Sequence, residues 1–136
     1  MTPQLKHIVQ DFLQAEKPVL FAYLFGSCAR QEETSLSDID IAVYLQCKQD
    51  FFTVRLQLME ALSRALKSDA IDLIVLNEAR IVLKYEVIRE GVVIKENKSE
   101  RVLFETKVLR EYLDSEPIRT AHIDAVKRRF SEKALS

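Results

Sequence analysis

The sequence predicts an α/β domain in which a small, mixed β-sheet is flanked by helices. Three apolar runs have the length of strands, and they occupy residues 19–25, 39–45 and 71–76. Segments whose apolar residues recur at helical spacing lie before, between and after these runs. The resulting order of helix, strand, strand, helix, strand and further helices is typical of the α/β class.

The first half of the chain predicts one helix and two strands. Thr2 can cap a helix and Pro3 suits its first turn, so the first helix begins there and ends at Lys17-Pro18. The apolar run at 19–25 is continuous, which predicts a strand buried on both faces. About a dozen residues join it to the strand at 39–45, too many for a tight hairpin.

The middle of the chain predicts a helix, a third strand and another helix. Helical spacing places the second helix at about residues 50–67, and the third strand follows at 71–76. The next helix runs over residues 78–89 and is ended by Gly91. Residues 92–95 are either a short strand or an extended connection.

The C-terminal part of the chain predicts two helices. One covers residues 99–113 and has an apolar side. Ser115-Glu116-Pro117 predicts the start of a separate last helix, because a capping hydroxyl precedes a proline in the first turn. The apolar stripe of this last helix is narrow, so the helix either packs lightly or docks onto a partner.

Composition and charge narrow the class of protein. We expect one domain over residues 1–136, with a catalytic core at 1–97 and a C-terminal helical extension at 98–136. A net charge of −1 predicts no global attraction to nucleic acid or to anionic membranes. Cys28 and Cys47 are too few for a disulfide framework or a zinc site. Because no segment resembles a signal peptide or a membrane span, we expect a cytoplasmic protein.

Three aspartates stand at the entrances of predicted strands. Asp38 and Asp40 are two residues apart, so in a strand both carboxylates point to one face, ~6–7 Å apart. Such a pair can hold divalent cations, although an ordinary polar turn is the simpler interpretation of the pattern alone. Asp72 enters the third strand in the same way and is otherwise a strand-start turn residue. If the two strands are neighbours, three carboxylates converge, and three can hold two Mg²⁺ ions.

A Gly-Ser turn precedes the aspartate pair. Gly26 lets the backbone approach a phosphate, and the Ser27 hydroxyl and nearby N–H groups can donate to phosphate oxygens. The dipeptide is a weak signal by itself. Arg30 either neutralises phosphate charge or is a solvated surface arginine. The sequence contains no Walker-type glycine loop and no nucleophile elbow, which excludes P-loop and α/β-hydrolase sites.

The spacing of these residues resembles a known family signature. Gly26-Ser27, ten intervening residues and then Asp38-Ile39-Asp40 is similar to the motif of the nucleotidyltransferase superfamily related to DNA polymerase β. Asp72 falls where that superfamily has its third carboxylate. The sequence around both parts of the motif resembles the minimal nucleotidyltransferase (MNT) antitoxins.

The resemblance implies a fold, a reaction and a partner. It implies the nucleotidyltransferase fold, with Asp38, Asp40 and Asp72 as catalytic residues and ligands of Mg²⁺, and ATP as substrate. Gly26 and Ser27, with Arg30, would bind the triphosphate. MNT antitoxins pair with a HEPN ribonuclease toxin and transfer AMP to one of its tyrosines, so the expected partners are that toxin and ATP, without direct nucleic-acid binding.

Two alternatives remain at this point. The chain could neutralise the toxin sterically, with the motif a remnant, although the intact motif argues against decay. It could instead be a nucleotidyltransferase whose acceptor is a small molecule or an RNA end. The short segment that follows the core favours an acceptor surface supplied by another protein.

Overall fold

The secondary structure alternates helices and strands along the chain. A computed structural model describes residues 3–26 and 39–135. The helices are α1 (Pro3–Ala15), α2 (Phe51–Leu66), α3 (Ile81–Glu90) and α4 (Lys98–Leu135). The strands are β1 (Val19–Phe25), β2 (Ile39–Leu45), β3 (Ile71–Val75) and β4 (Val92–Lys95), and a short 3-10 turn, Leu76–Glu78, follows β3.

The strands form one mixed sheet in the order β3-β2-β1-β4. β1 is antiparallel to both of its neighbours, and β2 and β3 are parallel. The prediction of a small mixed sheet is therefore confirmed. The segment at 92–95, which the sequence left open, is a strand because it pairs with β1.

Helices cover both faces of the sheet. α1 and α2 pack on one face, where Leu13, Leu24, Ile41 and Leu58 belong to one core cluster. α3 and α4 pack on the other, and their cluster includes aromatic residues of β1, β2 and α4. From Phe21 to Phe25, successive residues of β1 enter opposite clusters, which confirms the prediction of a strand buried on both faces.

Local signals explain where α2 and α3 begin and end. The Asp50 side chain accepts a hydrogen bond from the Thr53 N–H at 2.8 Å and caps α2. α3 ends at Gly91, as predicted, but Gly91 has an extended backbone rather than a left-handed one. A side chain there would overlap the carbonyl oxygen of Val87 and come within 3.2 Å of the Cβ of Tyr23. Close packing therefore explains this glycine.

The prediction of two separate C-terminal helices is wrong. α4 is one helix over Lys98–Leu135, with Pro117 inside it. A proline at this position removes one backbone hydrogen bond of the helix. The helix stays continuous because the turns on either side keep their own hydrogen bonds. The Ser115 hydroxyl donates to the carbonyl of Tyr112 at 3.1 Å, so it bonds back into the same helix instead of capping a new one.

The first turns of α4 belong to the packed core. Phe104 and Val108 are buried against the sheet. Among the residues that the structure describes, none of the helices has both the length and the apolar character needed to span a membrane.

Candidate active site

The register of the sheet brings two of the predicted site residues together. Antiparallel pairing places Asp40 opposite Phe25, the last residue of β1. Parallel pairing places Asp40 opposite Asp72 on β3. Paired residues on neighbouring strands point to the same face, so the two carboxylates lie side by side at one end of the sheet.

Gly26 lies directly against the carboxylate of Asp40. It follows β1 with a φ of +74°, in the left-handed region that favours glycine. A Cβ built on Gly26 would overlap the Oδ2 atom of Asp40 and lie 3.2 Å from its Cγ atom. The bend at the end of β1 therefore faces the carboxylate of Asp40.

Arg55 reaches the same place from α2. Its Nε donates to the Leu73 carbonyl at 2.8 Å, and its Nη2 lies 3.9 Å from Oδ1 of Asp72. The side chain of Asp72 is 50% exposed, and that of Arg55 is 33% exposed. A ligand can therefore reach the Asp72 carboxylate from solvent while a cationic side chain stands beside it.

The remaining predicted residues lie outside the described part of the chain. These are Ser27, Arg30 and Asp38. Within residues 3–26 and 39–135, no group of three or more histidine, cysteine or acidic residues is arranged to hold a metal ion. The predicted cluster of three carboxylates is thus represented by the pair Asp40 and Asp72.

Comparisons with known proteins identify the family of the chain. The family described as polymerase beta nucleotidyltransferase matches residues 7–100, more than half of the chain. The chain belongs to this nucleotidyltransferase family. A protein adenylyltransferase, MntA of Shewanella oneidensis, is 35% identical over 112 residues, which are 82% of this chain and 79% of the relative.

Solved structures of similar chains come from toxin–antitoxin complexes. A crystal structure of a toxin–antitoxin with AMP-PNP contains a chain with 31% identity and a TM-score of 0.77, covering 90% of this chain and 98% of that one. A complex of a tri-AMPylated Shewanella oneidensis HEPN toxin with an MNT antitoxin contains a chain with 30% identity and a TM-score of 0.73, covering 93% and 99%. The predicted nucleotidyltransferase fold is confirmed.

In this nucleotidyltransferase, the paired carboxylates suit an oxygen-seeking divalent cation. Both lie at strand ends, they are direct partners in the parallel register, and both are partly exposed. Magnesium and calcium prefer carboxylate oxygens. The donor set therefore fits the metal that the family resemblance implies.

Behind the site, a polar network joins α4 of the nucleotidyltransferase to β1. The hydroxyl of Tyr23 donates to Glu105 at 2.5 Å, and Arg101 donates to Glu105 at 2.8 Å and to Glu96 at 2.7 Å. Burial, followed by the hydrogen bond to Glu105, raises the pKa of Tyr23 well above its ordinary value. Tyr23 therefore stays protonated and fixes α4 to the strand that leads to Gly26.

Sequence reasoning missed Arg55. Its position beside Val54, in the buried stripe of α2, shows that it lies near the core, but not which strand it meets. Only the packing of α2 against β3 brings the guanidinium to Asp72.

Proposed function

We propose that this nucleotidyltransferase is an antitoxin that transfers AMP from ATP to a tyrosine of a partner HEPN ribonuclease toxin. The observation that carries the proposal is the pairing of Asp40 with Asp72 beneath Gly26. The relatives support a HEPN toxin as the acceptor of AMP, because one is named a protein adenylyltransferase and another is an antitoxin bound to an AMPylated HEPN toxin. The cytoplasm, which supplies ATP, is where this reaction would take place.

The site residues would have two kinds of role, which are binding of the cation and the nucleotide, and transfer of a proton. Asp38, Asp40 and Asp72 would hold Mg²⁺, with two ions as the family implies. Bound Mg²⁺ neutralises phosphate charge and favours in-line displacement at phosphorus. The Gly26 backbone and the Ser27 hydroxyl would bind the triphosphate, with Arg30 adding positive charge.

The bond changes in the reaction are balanced by the groups at the site. The tyrosine oxygen of the toxin attacks the α-phosphorus, a new oxygen–phosphorus bond forms, and the bond to pyrophosphate breaks. The carboxylate of Asp72 accepts the proton of the tyrosine hydroxyl or orients that hydroxyl for attack. Holding both reactants in line lowers the barrier through proximity and orientation.

Modification of the toxin explains how it is neutralised. Each transferred AMP adds a negatively charged phosphate to the toxin surface. If the modified tyrosine lies near the ribonuclease site, this phosphate repels the phosphates of an RNA substrate. The toxin then stays neutralised after the antitoxin has dissociated from it.

The proposal is tested by intact mass analysis of the toxin. Purified antitoxin is incubated with its partner toxin, ATP and Mg²⁺, and we expect the toxin to gain mass in AMP units. Asp72→Asn should lower the rate by at least about 100-fold, as loss of a group that moves a proton does, and Asp40→Asn should lower it because a carboxylate that would hold the cation is lost. Asp69→Asn, an exposed position three residues before Asp72, is the control and should keep the rate.

Other outcomes would identify the alternatives. AMP on a small molecule or an RNA end, with unmodified toxin, would overturn the choice of acceptor. A folded Asp38→Ala, Asp40→Ala double variant that protects cells as well as wild type would make the chain a steric antitoxin.

A further inference from the structure

We propose that Arg55 is a positioning residue that holds the carboxylate of Asp72 beside Asp40, so that the pair is arranged before cation and nucleotide bind. The inference rests on the proposed function, because it assigns Asp72 to the nucleotide site. Arg55 belongs to α2, outside the sequence motif that carries the family resemblance.

Two contacts on consecutive residues of β3 fix the guanidinium. β3 is an edge strand, and its Leu73 carbonyl accepts the hydrogen bond from Arg55 Nε at 2.8 Å. The next arm of the guanidinium, Nη2, lies 3.9 Å from Oδ1 of Asp72. Because the guanidinium is planar, the backbone hydrogen bond sets the direction in which the second arm presents its charge.

The length of the second contact matters for the function. A separation of 3.9 Å is an ion pair but is too long for a hydrogen bond. The Asp72 oxygens therefore feel the positive charge without having their lone pairs taken up by this arginine. That arrangement suits a carboxylate that must accept a cation or a proton later.

The electrostatic need for a cation arises from the register. Asp40 and Asp72 are direct partners on neighbouring strands, and like charges in that position repel each other. A positive charge beside Asp72 offsets this repulsion before any metal is present. Without it, we expect the carboxylate of Asp72, which is 50% exposed, to turn toward solvent.

Arg64 is a matched control on the same helix. It forms an ion pair with Glu60 at 3.7 Å, and both side chains are exposed. Pairs of this kind contribute little to stability. Arg64→Gln therefore also removes an arginine side chain from α2, but it changes no contact with Asp40 or Asp72.

The test measures binding rather than turnover. Isothermal titration calorimetry follows AMP-PNP binding to the full chain in the presence of Mn²⁺. We expect Arg55→Gln to weaken binding by about tenfold or more, as outer-shell partners of metal ligands do. Arg55→Lys should recover part of the loss because it keeps the charge but not the two-point contact, and Arg64→Gln should bind as wild type.

A double-mutant cycle separates positioning from a general structural role. If Arg55 acts through Asp72, adding Arg55→Gln to Asp72→Asn weakens binding no further. An equal loss in both backgrounds, or wild-type binding by Arg55→Gln, overturns the proposal. Wild type that fails to bind Mn²⁺ and AMP-PNP also overturns it.

The outcome is distinguishable from failure of the proposed function. Transfer of AMP to the toxin is measured on the same wild-type preparation. If wild type binds but does not transfer, the proposed activity is wrong while the binding data still decide the role of Arg55.

Discussion

Gly26 satisfies two constraints that other residue types do not. Its φ of +74° is strained for any residue with a Cβ, and the space beside it is filled by the carboxylate of Asp40. The same missing side chain that lets the strand turn also lets the backbone lie against an acidic site residue. The backbone conformation at Gly26 and the geometry of the site therefore both depend on the absence of a Cβ atom.

We expect Gly26→Ala to have a large effect on the rate of AMP transfer and a smaller effect on the free energy of unfolding. The left-handed backbone costs an alanine about 1–2 kcal/mol. The new Cβ also pushes the Asp40 side chain away, and a misplacement of about 1 Å can lower a rate by about 100-fold. Thermal unfolding and mass-based AMP transfer measure the two effects.

Gly91→Ala is the control for this prediction. It also introduces an overlap, but with the Val87 carbonyl oxygen on the α3 side of the sheet. It should lower the unfolding temperature and leave the transfer rate of the folded protein unchanged. A Gly26→Ala variant with the wild-type rate would show that contact with Asp40 has no role in the reaction.

At the scale of elements, a polar network joins α4 to β1, and a stack of aromatic rings joins α4 to α3. Tyr23 is 1% exposed, and its hydroxyl donates to Glu105, which Arg101 also binds. The rings of Tyr85 and Tyr112 stack with centroids 3.8 Å apart and join α3 to α4. These contacts connect the helix layer to the strand that ends at Gly26.

Tyr23→Phe should destabilise the protein by about 2 kcal/mol, because it removes a buried hydrogen bond to a carboxylate. The effect depends on pH. The folded state raises the pKa of Tyr23 above the ordinary value of about 10, so this contribution is complete below pH 10. Above pH 10 the unfolded chain loses the proton first, and wild-type stability falls.

Urea unfolding at pH 7–11 checks this prediction. The difference in free energy of unfolding between wild type and Tyr23→Phe should be constant to about pH 10 and then shrink. A difference that grows with pH would contradict the assignment of Tyr23 as a protonated donor.

The continuity of α4 gives a second prediction at this scale. Pro117 lies inside the helix, where a proline costs about 3 kcal/mol relative to alanine. Pro117→Ala should therefore slow amide hydrogen exchange in the turn that follows it. Unchanged exchange there would mean that the helix is interrupted at this point. Thr120→Ala, an exposed position one turn later, is a control that restores no backbone bond.

At the scale of the whole molecule, the first turns of α4 and its middle turns differ in exposure. Phe104 and Val108 are buried in the core, whereas Leu113 and Ile118 are 63% and 74% exposed. The sequence predicted that the C-terminal helix either packs lightly or docks onto a partner. Similar chains in solved structures come from toxin–antitoxin complexes, which supports docking onto a partner.

Docking of the toxin on the outer part of α4 stays a prediction. Leu113→Glu combined with Ile118→Glu should weaken antitoxin–toxin binding by at least about tenfold, because exposed apolar residues at an interface are desolvated on binding. Surface plasmon resonance with immobilised toxin measures the affinity. Phe52→Glu, an equally exposed apolar position on α2, is the control. Equal losses in both variants would contradict docking at α4.

The sequence alone determined much about this protein. Apolar periodicity located β1, β2, β3 and the first three helices to within a few residues, because those signals are local. The spacing from Gly26 to Asp40 by itself indicated the family. The prediction of a break at Pro117 was wrong, since a proline inside a helix and one at its start have the same local signature.

Only the tertiary structure decided how those parts meet. The parallel register of β2 and β3 sets Asp40 beside Asp72, more than thirty residues apart in sequence. Packing across the sheet edge brings Arg55 to Asp72, and pairing with β1 makes 92–95 a strand. Register and packing follow from burying both faces of the whole sheet at once, and no short stretch of sequence contains that information.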